Sequence, residues 1–149
     1  MGNRRRSREI AMQALFFMDV NRNISDEMVE RFCDCFNPPY SERSFFIELV
    51  KGVIKTLSQL DSIIERFSKN WRISRMSPVD RNIMRIAAYE IIFCSDIPSK
   101  VSINEAVDIG KKFGTEESGA FINGIIDSIR IAYEQEDLQI EIDEDIKQI

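Results

Sequence analysis

The residues best suited to chemistry lie at the front of the chain, in NRRRSRE, residues 3 to 9. Arg4, Arg5, Arg6 and Arg8 put four of the 20 Lys and Arg residues close together, with no acid before Glu9. Guanidiniums are permanently charged and make paired hydrogen bonds to phosphate, so against a helix they can track a nucleic-acid backbone. A solvated basic arm has the same composition, and the cluster by itself leaves both readings open. Helical spacing favours the grip if the first helix begins as early as Arg6: Arg6, Gln13 and Phe17 then fall on one stripe off the core face, aligning a phosphate binder, a base-edge reader and a stacking ring. Near the other end, Phe121 flanks the core stripe of the last helix beside Glu117. It is either the edge of a wide core face or a ring for base stacking, a contact worth about 1 to 3 kcal/mol. Gly119 and Gly124 cost that helix roughly 1 kcal/mol each relative to Ala, which calls for close helix packing or close approach of a ligand.

Other chemistries find little support. The chain contains no histidine, which removes the commonest general base and every Ser-His or Cys-His nucleophile pair. GTEESGAF, residues 114 to 121, has the glycine spacing of a phosphate loop, but Ala120 and Phe121 stand where Lys and Ser or Thr are required. Glu116 and Glu117 are neighbours of the kind a helix start favours electrostatically. Cys33, Cys35 and Cys94 are odd in number, which suits a reducing compartment, and Cys33-Asp34-Cys35 reads as buried thiols on a helix rather than a metal site. No enzyme activity, cofactor or metal is expected. No apolar run approaches the roughly 20 residues of a membrane span, and the basic leader lacks a cleavage site, so a soluble cytoplasmic protein is expected.

These residues must be positioned by helices. Ala11, Ala14, Leu15 and Met18 predict a first helix from about Ser7 to Val20. Ser25 caps a second with Val29, Phe32 and Phe36 inward, stopped by Asn37-Pro38-Pro39. Ser41 caps a third, with Phe46, Leu49, Val50, Val53 and Leu57 buried, and Leu60, Ile63, Ile64 and Phe67 mark a fourth. Ser77-Pro78-Val79-Asp80 is a dense start signal for a helix apolar on nearly every face after Arg85, as befits the middle of a bundle. Ser102 to Glu105 reads as a capping box, Gly114 as a left-handed terminator, and Thr115 as the start of a last helix with Ile122, Ile125, Ile126 and Ile129 inward. The expected fold is all-α, a single bundle of about seven helices whose halves meet near Trp71 to Ser77, spanning residues 1–133. Residues 134–149 carry seven acids, Glu134, Glu136, Asp137, Glu141, Asp143, Glu144 and Asp145, against Lys147. The net charge of −5 therefore belongs to this segment, read as a mobile acidic tail behind a nearly neutral body.

An Arg-rich start running into REIAMQALF, then VDRNIMRIAAYEI, IPSKVSINEAVDIGKKFG and SGAFINGIID, resembles the NusB family of bacterial transcription antitermination factors. The resemblance runs from Arg4 to about Ile131. It implies an all-helical fold, binding of single-stranded boxA RNA in ribosomal RNA leader transcripts, pairing with NusE, which is also a small-subunit ribosomal protein, and delivery to elongating RNA polymerase. By motif position it implies RNA contacts at Arg4, Arg5, Arg6, Arg8, Gln13, Phe17, Glu117, Ser118 and Phe121, and a NusE-facing surface at Asp80 and Tyr89. Phe17 stands where many members have Tyr, which keeps a stacking contact and loses a phenol hydrogen bond. Ala120 replaces a frequent Lys or polar residue and removes a phosphate contact. A related domain fronts some rRNA cytosine methyltransferases, but no glycine-rich cofactor domain follows here. The alternative is a protein-only helical scaffold, binding NusE or a second copy of the chain, with an inert basic arm.

Overall fold

In the computed structural model, which describes residues 2–69 and 71–135, hydrophobic periodicity becomes seven α-helices. They are α1 (Gly2–Val20), α2 (Asp26–Phe36), α3 (Tyr40–Lys55), α4 (Leu57–Phe67), α5 (Pro78–Phe93), α6 (Ser99–Phe113) and α7 (Ser118–Glu134), with a 3₁₀ turn at Ile73–Arg75 before α5. The all-α expectation holds over the described residues. The acidic segment from Glu136 onward lies outside them.

The α1 stripe is fully inward: Ala11, Ala14, Leu15 and Met18 have no exposed surface, nor does Ile10 beside them. Burying a side chain of the size of Leu15 stabilises the fold by about 1.5 to 3 kcal/mol, which is why the stripe dictates how α1 is turned. Helix α5 sits in the middle and packs against α1, α3, α4, α6 and α7. Its residues from Asn82 to Ala88 are all buried, as the lack of a polar face required.

Two of the expected caps form. The Ser25 side chain accepts the Met28 N–H, and Ser77 Oγ accepts the Asp80 N–H at 3.1 Å, with Pro78 in the first turn where it forfeits no helical bond. Asn37 closes α2 in the left-handed region at φ 51°.

Other local signals are overridden. Helix α3 starts at Tyr40, and Ser41, inside its first turn, donates to Glu42 instead of capping. Leu57 belongs to α4 rather than to the α3 stripe. Phe36 is exposed and stacks on Phe32 at 5.1 Å rather than pointing inward. Cys35 is exposed and Cys33 half-buried, so of the three thiols only Cys94 is buried; burial and nearby carboxylates push its pKa up to about 12. The capping box does not form, because α6 begins at Ser99 and both Ser102 and Glu105 answer to side chains from other helices.

Gly114 is extended, at φ −97° and ψ −153°, not left-handed. Its lack of a side chain is needed for a different reason: a Cβ there would collide with the Ser118 hydroxyl. That hydroxyl folds back to accept the Thr115 N–H at 2.9 Å, so Thr115 opens a short turn and α7 itself starts three residues later.

Candidate nucleic-acid interface

The four front arginines are on one helix, yet they occupy four different environments. Arg8 is 3% exposed, and its Nε and Nη2 form a two-pronged pair with Glu90 of α5, both at 2.8 Å. Ser102 Oγ donates to the same carboxylate at 2.9 Å, and the Phe45 ring lies 5.3 Å from the guanidinium. Arg8 therefore joins α1, α5 and α6 in the interior and presents nothing to a phosphate, contrary to the contact expected of it. Arg5 pairs with Glu105 and, at 2.9 Å, with Asp108. The hydrogen bond it donates to Glu105 is the main cause of its raised pKa, against the opposing effect of burial.

Arg4 and Arg6 remain outward. The Arg4 guanidinium rests over Phe45 at 4.6 Å, and its ion pair with Asp96 is loose at 3.8 Å. Arg6 reaches Glu9 at 3.4 Å, while Lys112 holds the other Glu9 oxygen at 3.0 Å. Gln13 is half-buried and Phe17 is 44% exposed on the same side of α1. Phe16 is partly exposed as well.

At the start of α7, Glu117 is exposed and Phe121 half-buried. Ser118 is buried and turned to the Thr115 backbone, so it shapes the helix start and does not face a ligand. Phe121 meets a ring that sequence reasoning passed over. Trp71, 55% exposed, stands edge-on to it with centroids 6.3 Å apart and planes at 69°. The two glycines of α7 separate. A Cβ at Gly119 would press on the Lys111 side chain at 3.2 Å, which is helix packing, whereas one at Gly124 would meet nothing within 4 Å.

The expected partner-facing pair lies along α5. Asp80 is in its first turn, and its Oδ1 is buried with no hydrogen-bond partner. Tyr89 stacks on Phe93 at 5.3 Å and fits over Gly52 of α3, where any side chain would strike its ring. Burial raises the Tyr89 phenol to about 12, so it stays a neutral donor.

A further polar cluster was not anticipated. Arg81 clasps Asp19 at 2.6 and 2.8 Å, Asn82 donates to Asp19 at 2.9 Å, and Arg85 bridges Asp19 at 3.1 Å and Asp61 at 2.7 Å. Burial alone would raise the Asp19 pKa, but these donors outweigh it and hold the carboxyl below its ordinary value. The only sequence signal was two arginines inside an otherwise apolar central helix, which demands buried acids.

An all-helical bundle with Arg6, Gln13 and the exposed Phe17 on one stripe of α1, and with Trp71 against Phe121 at the start of α7, has the make-up of a binding protein. No group of three or more Cys, Asp or Glu among the described residues could hold a metal, and no helix there is long and apolar enough to cross a membrane. The chain belongs to the NusB family, whose model matches residues 5–130. The transcription antitermination protein NusB of Desulfatibacillum aliphaticivorans is 56% identical over 131 residues, covering 88% of this chain and 92% of that one. That of Geobacter sulfurreducens is 47% identical over 130 residues, covering 87% and 94%. Among solved structures, T. maritima NusB matches with TM-score 0.75 at 38% identity, over 86% of this chain and 90% of that one. A structure of antitermination factors NusB and NusE in complex with dsRNA matches with TM-score 0.79 at 27% identity, over 89% and 99%.

Proposed function

We propose that this protein is a transcription antitermination factor of the cytoplasm. It binds boxA RNA of ribosomal RNA leader transcripts together with NusE and delivers the complex to elongating RNA polymerase. The observation that carries this reading is the 56% identity to a NusB relative across nearly the whole of both chains. The surfaces of α1 and α7 support it, since Gln13 and Phe17 offer a base-edge reader and a ring on the stripe of Arg6, and Phe121 offers a second ring at the start of α7. Splayed bases of single-stranded RNA are recognised by stacking and edge contacts of this kind. The NusE-facing surface at Asp80 and Tyr89 rests on their motif positions, one turn from each end of α5.

A protein-only scaffold gains some weight from the pairing of Arg5 and Arg8 with internal acids. Gel filtration and RNA binding, with and without NusE, on boxA and scrambled RNA separate the two. Preferential retention of boxA RNA, strengthened by NusE, is the expected result. Equal affinity for boxA and scrambled RNA, or a NusE complex that retains neither, favours the scaffold.

A further inference from the structure

Four cations stand between residues 66 and 75 with no ion pair to a carboxylate among the described residues: Arg66, Lys69, Arg72 and Arg75, all exposed. The arginines of α1, by contrast, each face an acid. Trp71 lies among the four. Together with Arg72 it separates two shallow recesses, one bounded by Arg66 and the other by Lys69 and Arg75.

The segment that carries them is held from beneath. Ser68 Oγ donates to the Trp71 carbonyl at 2.9 Å, and Glu65 Oε1, on the wall of the first recess, accepts the Ile73 N–H at 3.1 Å. Arg81 Nη1 donates to the carbonyls of Ile73 and Met76. An exposed ring on a fixed turn, edge-on to Phe121 and flanked by cations that pair with no carboxylate among the described residues, has the make-up of a single-stranded nucleic-acid subsite. Rings take the bases, which all have a π-face, and the flanking cations take the phosphates.

We propose that the α4–α5 junction is a second RNA subsite, continuous with the α1–α7 face through the Trp71–Phe121 contact. Trp71 stacks a base, and Arg72 and Arg75 hold the phosphates beside it. The subsite rests on the reading of this chain as an RNA binder, and extends it to residues outside the face at Arg4, Gln13, Phe17 and Phe121.

Trp71 is the chain's one tryptophan, so its fluorescence reports this position alone. The unmodified chain is titrated with single-stranded boxA RNA at several salt concentrations, then Trp71→Ala, Trp71→Phe and the double variant Arg72→Ala/Arg75→Ala, each confirmed folded by circular dichroism. RNA should quench the Trp71 emission. Trp71→Ala should bind roughly 5- to 100-fold more weakly, with Trp71→Phe recovering part of the loss. The double variant should flatten the log–log salt dependence by about 1.4, the share of two phosphate contacts on a single strand. Full binding by the variants, with Trp71 emission of the unmodified chain unchanged by RNA, overturns the subsite and leaves the α1–α7 reading intact. Failure of the unmodified chain to bind boxA RNA, with or without NusE, removes both. Variants that lose NusE while keeping RNA affinity and salt slope reassign the junction to a protein partner and overturn the proposal.

Discussion

A guanidinium clamped between Glu90 and the Phe45 ring cannot turn to a phosphate without leaving a buried carboxylate unpaired. Arg8 thus acts on the interface through position: it fixes the register of α1 against α5 and α6, and with it where Arg4, Gln13 and Phe17 emerge. Arg8→Ala is expected to lower the unfolding free energy by about 3 to 5 kcal/mol, the cost of breaking a buried pair by removing one partner. Urea denaturation measures it, and a loss near the surface-pair range of about 0 to 1 kcal/mol would contradict the buried role. The same residue shows the limit of reading charge along a chain. Arg4, Arg5, Arg6 and Arg8 are neighbours in sequence, and the acids that distinguish them, Asp96, Glu105 and Glu90, come from 82 to 100 residues away. The type of chemistry was legible at this end of the chain, but the division into outward and inward arginines depends on tertiary pairing. Trp71 escaped notice because its neighbour Phe121 is also remote in sequence, 50 residues on, and a lone aromatic after a helix carries no local pattern.

Helix starts and stops were legible where the partner is a backbone group a few residues away. Ser25 and Ser77 cap as expected because their hydroxyls need only reach Met28 and Asp80. The Ser102 to Glu105 pattern has the same local form, yet Glu90 and Arg5 outbid it, since a buried carboxylate must be satisfied before an exposed helix end. On α7 the element-scale question is Gly124, one turn past Phe121, exposed and with open space where a side chain would be. Packing gives no reason for a residue that weakens a helix interior, so close approach of RNA to the backbone is the account that fits the proposed face. Gly124→Ala should raise stability by about 0.5 to 1 kcal/mol, because the new methyl meets no neighbour. Thermal unfolding checks that gain, and a boxA titration of the same variant should show weaker binding. Unchanged affinity would leave the glycine outside the RNA path.

At the scale of the molecule, α5 is the axle on which the other helices are mounted, and two polar clusters fasten them to it at opposite ends. Glu90 near its C-terminal end receives Arg8 of α1 and Ser102 of α6, while Arg81, Asn82 and Arg85 near its start receive Asp19 from the end of α1 and Asp61 from α4. Apolar periodicity alone would let helices slide past one another by a turn. Two directional clusters set the rotation and rise of α1, whose front and exposed side form the proposed RNA face. The cluster at Asp19 gives this fastening a pH signature. Its donors hold the folded carboxyl below the ordinary value of 3.8, so its contribution to stability is fully present above that pH. As pH falls through the lowered folded value the carboxylate takes a proton, the Arg81 and Arg85 pairs lose their charge partner, and the contribution disappears. Asp19→Asn removes the charge at every pH while keeping the shape. The gap in unfolding free energy between the parent chain and Asp19→Asn should therefore be widest near neutral pH and close under strong acid, measured by urea unfolding at a series of pH values. A gap that stayed constant through the acid range would mean that the arginines on α5 gain nothing from the Asp19 charge, and that packing of the apolar stripe alone sets where α1 lies.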